Sequence, residues 1–301
     1  EIQLFNYYNY NKHNTFKEDV SMKKSNKILS FFLSLVIAIL FVSPTAVFGD
    51  SELSDDIVVL YTNDVHTYID GQLSYDVIAA IKKDLQKEYK HVILADAGDH
   101  VQGTAYGSMD KGKSIIDMMN AAGYDVATLG NHEFDYGVDT LAAVLQLAHF
   151  PIVCANYDVT GSPLEGLVVP YTVIKRSGLR IGVFGIGVNP KGLIAEKNFA
   201  PLQYMDPVAS AQQVANVLRD EEKCDAVICL SHQGTHPMLG GNMSDMELAE
   251  KTQNIDVIIG AHTHKIVENL YVKNLNGDSV LLTQTGKAGA RIGEILLEIG
   301  E

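Results

Sequence analysis

Short apolar runs, each closed by a polar cluster, recur along the chain from residue 57 onward. The stretches 57–61, 91–95, 126–129, 152–155, 225–230 and 257–259 read as buried strands, being brief and bounded by turn residues. Helical periodicity lies between them. Val77, Ile78, Ile81 and Leu85 recur with Lys82, Lys83 and Lys87 interleaved, which predicts an amphipathic helix against a sheet. Ser114 with Asp117 predicts a capping box opening a helix that stops at Gly123. Further helices are predicted over 141–147 and over 207–219, the latter from Val208, Ala211, Val214, Ala215 and Leu218. A loop is predicted over 161–170, then a hairpin of strands 171–175 and 180–185. Alternation over 267–272, 280–283 and 292–299 predicts antiparallel strands. Early strand-helix alternation with a strand-rich end predicts an α/β fold of mixed sheets with helices on both faces.

The N-terminal region follows another pattern. Met22, Lys23, Lys24 and Lys27 precede an apolar run over 28–42, then Pro44 and small residues as far as Gly49, the layout of a secretory signal peptide. That predicts an extracytoplasmic protein, secreted, periplasmic or at the cell surface, cleaved after Gly49. An uncleaved membrane anchor is the competing reading, although Ser30 and Ser34 interrupt the run and a span needs roughly 20 apolar residues. Residues 1–21 are predicted to be unstructured and outside the native product, 50–56 to be a linker, and 57–301 to form one large domain.

Composition narrows the function classes. A net charge of -14 repels polyanions and excludes a nucleic-acid groove, so a small anionic substrate would need local positive charge such as metal ions bring. Cys154, Cys224 and Cys229 are too few for a disulfide framework or a thiolate metal site; buried free thiols are expected, with a Cys224–Cys229 disulfide as the alternative.

The chemistry collects where the predicted strands end. Asp64/His66, Asp99, Asn131/His132, His232 and His262/His264 all follow apolar runs, and half of the ten histidines fall in these clusters. A polar turn explains any one of them; their repetition at strand ends points to a site, because open α/β sheets bind ligands there. Asp64 and His66, two apart on extended backbone, face one way. Gly130 is expected to let the backbone turn sharply, Asn131 to offer a neutral oxygen and His132 an imidazole, with Asp135 placed to orient that ring. Nitrogen and oxygen donors without thiolate suit Zn, Mn, Fe or Co, and the donors outnumber the needs of one ion. Two divalent metal ions roughly 3.5–4 Å apart, sharing a carboxylate, is the simplest arrangement. Asp96 and His100 are secondary candidates for supporting or substrate-facing roles, His236 for the mouth of the site; His91 and His149 need no functional account.

The ordered series TNDVH, GDHVQG, GNHEFD, SHQG and GAHTH resembles the calcineurin-like metallophosphoesterases, in particular the secreted 5'-nucleotidase, UDP-sugar hydrolase and cyclic-nucleotide phosphodiesterase branch, over about residues 57–299. The resemblance implies a four-layer αββα sandwich with two mixed β-sheets. It implies Asp64, His66, Asp99 and His264 around one metal and Asp99, Asn131, His232 and His262 around the other. It also implies a catalytic His132 oriented by Asp135. The expected function is exported hydrolysis of small phosphate esters by a monomer, foremost nucleoside monophosphates, with cyclic nucleotides or nucleotide sugars as alternative substrates. A secreted binding protein that keeps the fold is the non-enzymatic alternative. Thr67 stands where the family often has Gly, so the rim beside His66 is expected to differ. Family members usually continue into a second domain that holds the base, so this sequence is expected to be part of a longer protein with poor nucleotide discrimination by itself.

Overall fold

The central strands are buried on both faces, and their successive side chains sort into three apolar layers. The computed structural model describes residues 2–3, 53–236 and 243–298. Its strands, in chain order, are β1 (Ile2–Gln3), β2 (Ser54–Thr62), β3 (Tyr89–Asp96), β4 (Val126–Thr128), β5 (Ile152–Val153), β6 (Tyr157–Asp158), β7 (Val168–Val169), β8 (Tyr171–Arg176), β9 (Leu179–Ile186), β10 (Gln203–Tyr204), β11 (Ala226–Ser231), β12 (Val257–Gly260), β13 (Ile266–Lys273), β14 (Ser279–Thr285) and β15 (Gly293–Leu297). The α-helices are α1 (Tyr75–Leu85), α2 (Ala105–Asp110), α3 (Lys113–Ala122), α4 (Val138–Leu145), α5 (Glu196–Phe199), α6 (Pro207–Asn216) and α7 (Asp245–Lys251).

A seven-stranded sheet has the order β1-β15-β2-β3-β4-β5-β7, and a six-stranded sheet the order β13-β14-β12-β11-β9-β8. Both are mixed: β2 to β5 and β7 run parallel beside an antiparallel β15, and β9, β11, β12 and β14 run parallel between antiparallel β8 and β13. Ile57, Val59 and Tyr61 of β2 meet Ile228, Leu230, Val257 and Ile259 in the layer between the sheets. Val58 and Leu60 face α1, α3 and α4 on one outer side, while Val227, Cys229 and Ile258 face α6 and α7 on the other. The result is the expected four-layer αββα sandwich. A buried hydrogen bond between the Tyr61 and Thr283 hydroxyls joins β2 to β14 across the middle layer.

Several elements depart from the sequence reading. The helix expected to be capped at Ser114 starts at Lys113 behind Gly112, with no side-chain cap, because Asp110 of the preceding α2 accepts from Gly112 and Ser114 instead. Its stop at left-handed Gly123 is as expected. The segment 161–170 contains the short strand β7, and the last strands are not uniformly antiparallel: β14 runs parallel to β12, and β15 lies in the other sheet. Strand β2 begins inside the expected linker. Ile2–Gln3, within the segment expected to be unstructured, pairs antiparallel with β15, whose edge would otherwise leave backbone groups unpaired. The signal segment and its anchor alternative lie outside the described residues. Among those described, no helix is long and apolar enough to cross a membrane, and all three cysteines are free and buried.

Ile259→Ala, in the layer between the sheets, should cost about 2–5 kcal/mol in urea unfolding, whereas Leu275→Ala on the surface should stay within about 0.5 kcal/mol.

Candidate metal centre

Parallel strands deliver the polar clusters to one place. Asp64 and His66 follow β2, Asp99 follows β3, Asn131 and His132 follow β4, His232 follows β11, and His262 and His264 follow β12. Three overlapping groups of possible ligand atoms result: Asp64, His66 and His264; His66, Asp99 and His132; Asp99, His232 and His262. The His264 Nε2 lies 3.4 Å from Asp64 Oδ1, and the His66 Nε2 lies 3.9 Å from the same oxygen and 3.8 Å from Asp99 Oδ2. His232 Nε2 lies 3.1 Å from Asp99 Oδ2.

The tautomers suit a metal. His66 Nδ1–H donates to the Gln102 carbonyl at 3.1 Å and His232 Nδ1–H to the Ala97 carbonyl at 2.8 Å, which turns both Nε2 atoms inward as lone-pair donors. His66 Nε2 and His264 Nε2 then face one another at 3.0 Å. Asn131 Oδ1 and His262 Nε2 are buried without a hydrogen-bond partner, although buried polar atoms are rarely left so. Converging donors, orphaned at their tips, fit a cation. Protons partly answer the same demand: burial opposes charge on His232, yet Asp99 outweighs it and raises the imidazole pKa to about 10. Burial likewise opposes ionisation of Asp99, but His232 holds its carboxyl well below the usual range. Burial, reinforced by His232, lowers His262 to about 4.

Backbone strain accompanies the ligands. Asp64, His66, Thr67, Asp99, His262 and His264 all have left-handed φ between 49° and 68°, a conformation that costs roughly 1–3 kcal/mol at non-glycine residues and persists where its surroundings impose it. Gly130 differs from its expected role. Its φ is not left-handed; it is glycine because a Cβ there would collide with Asp99 Oδ1 and the His232 ring.

Two supporting residues escaped the sequence reading. Asn63 donates to Asp64 Oδ2 at 2.6 Å and to the Gly286 carbonyl at 2.8 Å, while its own Oδ1 accepts from the Thr285 amide at 2.8 Å. Glu133, fully buried, accepts backbone N–H groups from Asp99 (2.8 Å), His100 (2.8 Å), Val101 (3.2 Å) and Gly130 (2.6 Å), so one carboxylate ties the Asp99 loop to the Asn131 loop. The available signal was an acidic residue beside two ligand loops. Asp96 and His100 are paired at 2.9 Å and wholly buried, which makes them supports and removes the substrate-facing alternative. Burial opposes charge on His100, but Glu133 and Asp96 raise it to about 9.

His132 packs edge-on against His66, with ring centroids 5.3 Å apart, but has a carboxylate partner of its own. Its Nδ1–H donates to Asp135 Oδ2 at 2.9 Å, and its side chain remains 40% exposed, open to an incoming molecule. The Asp135 hydrogen bond raises its pKa to about 9, against partial burial and with help from Asp99. The His132 amide donates to Asp99 Oδ1 at 2.8 Å, leaving Oδ2 to face His66 and His232. His236 is exposed.

The calcineurin-like phosphoesterase pattern covers residues 57–266. This chain belongs to that family. Among calcineurin-like phosphoesterases it is similar to part of the longer 5'-nucleotidases. It is 34% identical over 229 residues to a snake venom 5'-nucleotidase of Gloydius brevicauda, covering 70% of this chain and 37% of that protein. It is 30% identical over 272 residues to the trifunctional nucleotide phosphoesterase protein YfkN of Bacillus subtilis, covering 80% of this chain and 18% of that protein. The crystal structure of a 5'-nucleotidase precursor from Thermus thermophilus superposes with a TM-score of 0.71 at 27% identity, over 81% of this chain and 52% of that one. The chain thus spans well under half the length of these two curated relatives.

Glu133→Gln would turn donors toward amides that now meet only acceptors. Unfolding should show a loss of about 1.5–3 kcal/mol, and bound metal should fall relative to the parent at limiting metal concentration.

Proposed function

We propose that this chain is a dinuclear-metal phosphoesterase that releases phosphate from nucleoside 5'-monophosphates, and that it works outside the cytoplasm. The observation that carries the reading is Asp99, whose Oδ2 lies 3.8 Å from His66 Nε2 and 3.1 Å from His232 Nε2, so that one carboxylate would be shared by two ions. Asp64, His66, Asp99 and His264 would hold one ion; Asp99, Asn131, His232 and His262 would hold the other. When bound, such ions supply Lewis acidity to a phosphoryl group and activate water for attack on it.

The remaining work falls to His132. Asp135 holds its ring through Nδ1–H and keeps it an imidazolium, which leaves Nε2–H as its free donor. From there it stabilises charge on phosphate oxygens or gives its proton to the leaving oxygen. The 5'-nucleotidases among the relatives support the substrate class, and the basic-apolar-small pattern over 22–49 supports export. A nucleotide diesterase is the second reading, favoured by the likeness to a trifunctional nucleotide phosphoesterase.

Phosphate released from adenosine monophosphate, and nucleoside monophosphate formed from a 2',3'-cyclic nucleotide or a nucleotide sugar, each with Mn or Co and after chelation, test the reading. Turnover of the monophosphate that chelation abolishes and metal restores is expected; turnover indifferent to chelation would sink the metal mechanism. Asp99→Ala should lower the content of both metals, whereas His66→Ala should weaken mainly one, as metal analysis would show. His132→Asn should keep both metals while turnover falls by roughly two to four orders of magnitude; full turnover with both metals present would remove His132 from the mechanism.

A further inference from the structure

Thr67 is fully buried with φ of 58°, a left-handed conformation that a β-branched residue seldom adopts. Something must hold it there, and its partner is Thr104. The Thr104 amide donates to Thr67 Oγ1 at 2.8 Å, the Thr104 hydroxyl donates to the Thr67 carbonyl at 3.0 Å, and the two hydroxyl oxygens lie 2.7 Å apart. One proton arrangement satisfies all three contacts. The Thr104 hydroxyl spends its single proton on the Thr67 carbonyl, so the Thr67 hydroxyl donates to Thr104 Oγ1 while accepting from the Thr104 amide. Thr104 occupies the N-cap position of α2 and yet makes no side-chain cap, because its hydroxyl is turned to Thr67.

Packing repeats the link. A Cβ at Gly107 would collide with the Thr67 methyl group, and a Cβ at Gly103 would collide with His66, so the segment 102–110 lies directly on the His66–Thr67 backbone. The same segment contributes the Gln102 carbonyl that fixes the His66 tautomer at 3.1 Å. We propose that the Thr67–Thr104 pair is a clamp that holds segment 102–110 on the ligand loop and thereby aims His66 at its metal, which makes Thr67 a positioning residue. The proposal rests, for His66, on the dinuclear reading above. The clamp gives a physical role to the residue at which this chain departs from the glycine often found after the first histidine of the family.

The test uses the whole chain with Thr67→Val (shape without hydroxyl), Thr67→Ser (hydroxyl without the methyl), Thr104→Val and the double valine variant. Cobalt(II) titration followed by visible absorption reads metal binding, and amide hydrogen exchange over 102–110 without metal reads the clamp. Parent protein should bind two equivalents. Thr67→Val should weaken one binding event by about 10–100-fold, the usual effect of losing a partner that orients a ligand, and should speed exchange over the segment. Thr104→Val should reproduce both effects, the double variant should be no worse than either single one, and Thr67→Ser should restore cobalt affinity to within about threefold of the parent. Unchanged cobalt affinity in Thr67→Val, a serine variant as poor as the valine one, or additive losses in the double variant would each overturn the positioning role. A parent that binds fewer than two cobalt ions would instead sink the dinuclear reading, and unchanged exchange over 102–110 in Thr67→Val would overturn the clamp in that case too.

Discussion

Two carboxylates buried side by side with imidazoles are the constraint that the surrounding structure answers. Asp64 and Asp99 are almost wholly removed from water, and burying an ionised group costs several kcal/mol even after relaxation. The protein offsets that cost by layers of support. Asn63 and the His262 amide donate to Asp64, the His132 amide to Asp99, and Glu133 gathers the backbone amides of the Asp99 loop. Such a cluster sets two buried carboxylates beside donor atoms without partners, which is the environment a divalent cation stabilises.

The sandwich was legible because its strands are buried on alternate faces by different layers. Residues 57–61 are apolar throughout, and the structure sends Ile57, Val59 and Tyr61 one way and Val58 and Leu60 the other. The ligands were legible because imidazole and carboxylate groups recur after those runs. Less visible were elements whose cause is tertiary. α2 is six residues long, contains Gly107, and exists where it does through contact with Thr67 rather than through periodicity. α7 carried a signal that went unread: Ser244 and Glu247 form a reciprocal capping box. β5 and β7 are two residues each and are held by neighbours in the sheet, not by propensity.

Within the site, the hidden information was backbone conformation. Left-handed φ at Asp64, His66, Asp99, His262 and His264 leaves no mark on residue type, since aspartate and histidine reach that region more readily than most side chains but do not require it. Gly130 shows the converse: the glycine was visible, but the reason for it, the approach of Asp99 and His232, was not. Glu133 reads in sequence as one more acidic residue in a polar loop, and only the convergence of four amides identifies it as a fastener.

Each of the two donor sets that meet at Asp99 draws on both sheets. Asp64, His66, Asp99 and Asn131 leave strands of the seven-stranded sheet, whereas His232, His262 and His264 leave strands of the six-stranded one. An ion seated among them would therefore add a cross-link between two halves of the molecule that already meet through an apolar layer and hydrogen bonds such as His232 to the Ala97 carbonyl and Asn63 to the Gly286 carbonyl. Binding to the folded state alone adds RT ln(1 + [L]/Kd), about 4.1 kcal/mol at a free-metal concentration a thousandfold above Kd. Resistance to unfolding and to proteases consequently becomes a function of the free metal around the protein, and scarcity of the ion would shorten the lifetime of the fold as well as silence the site.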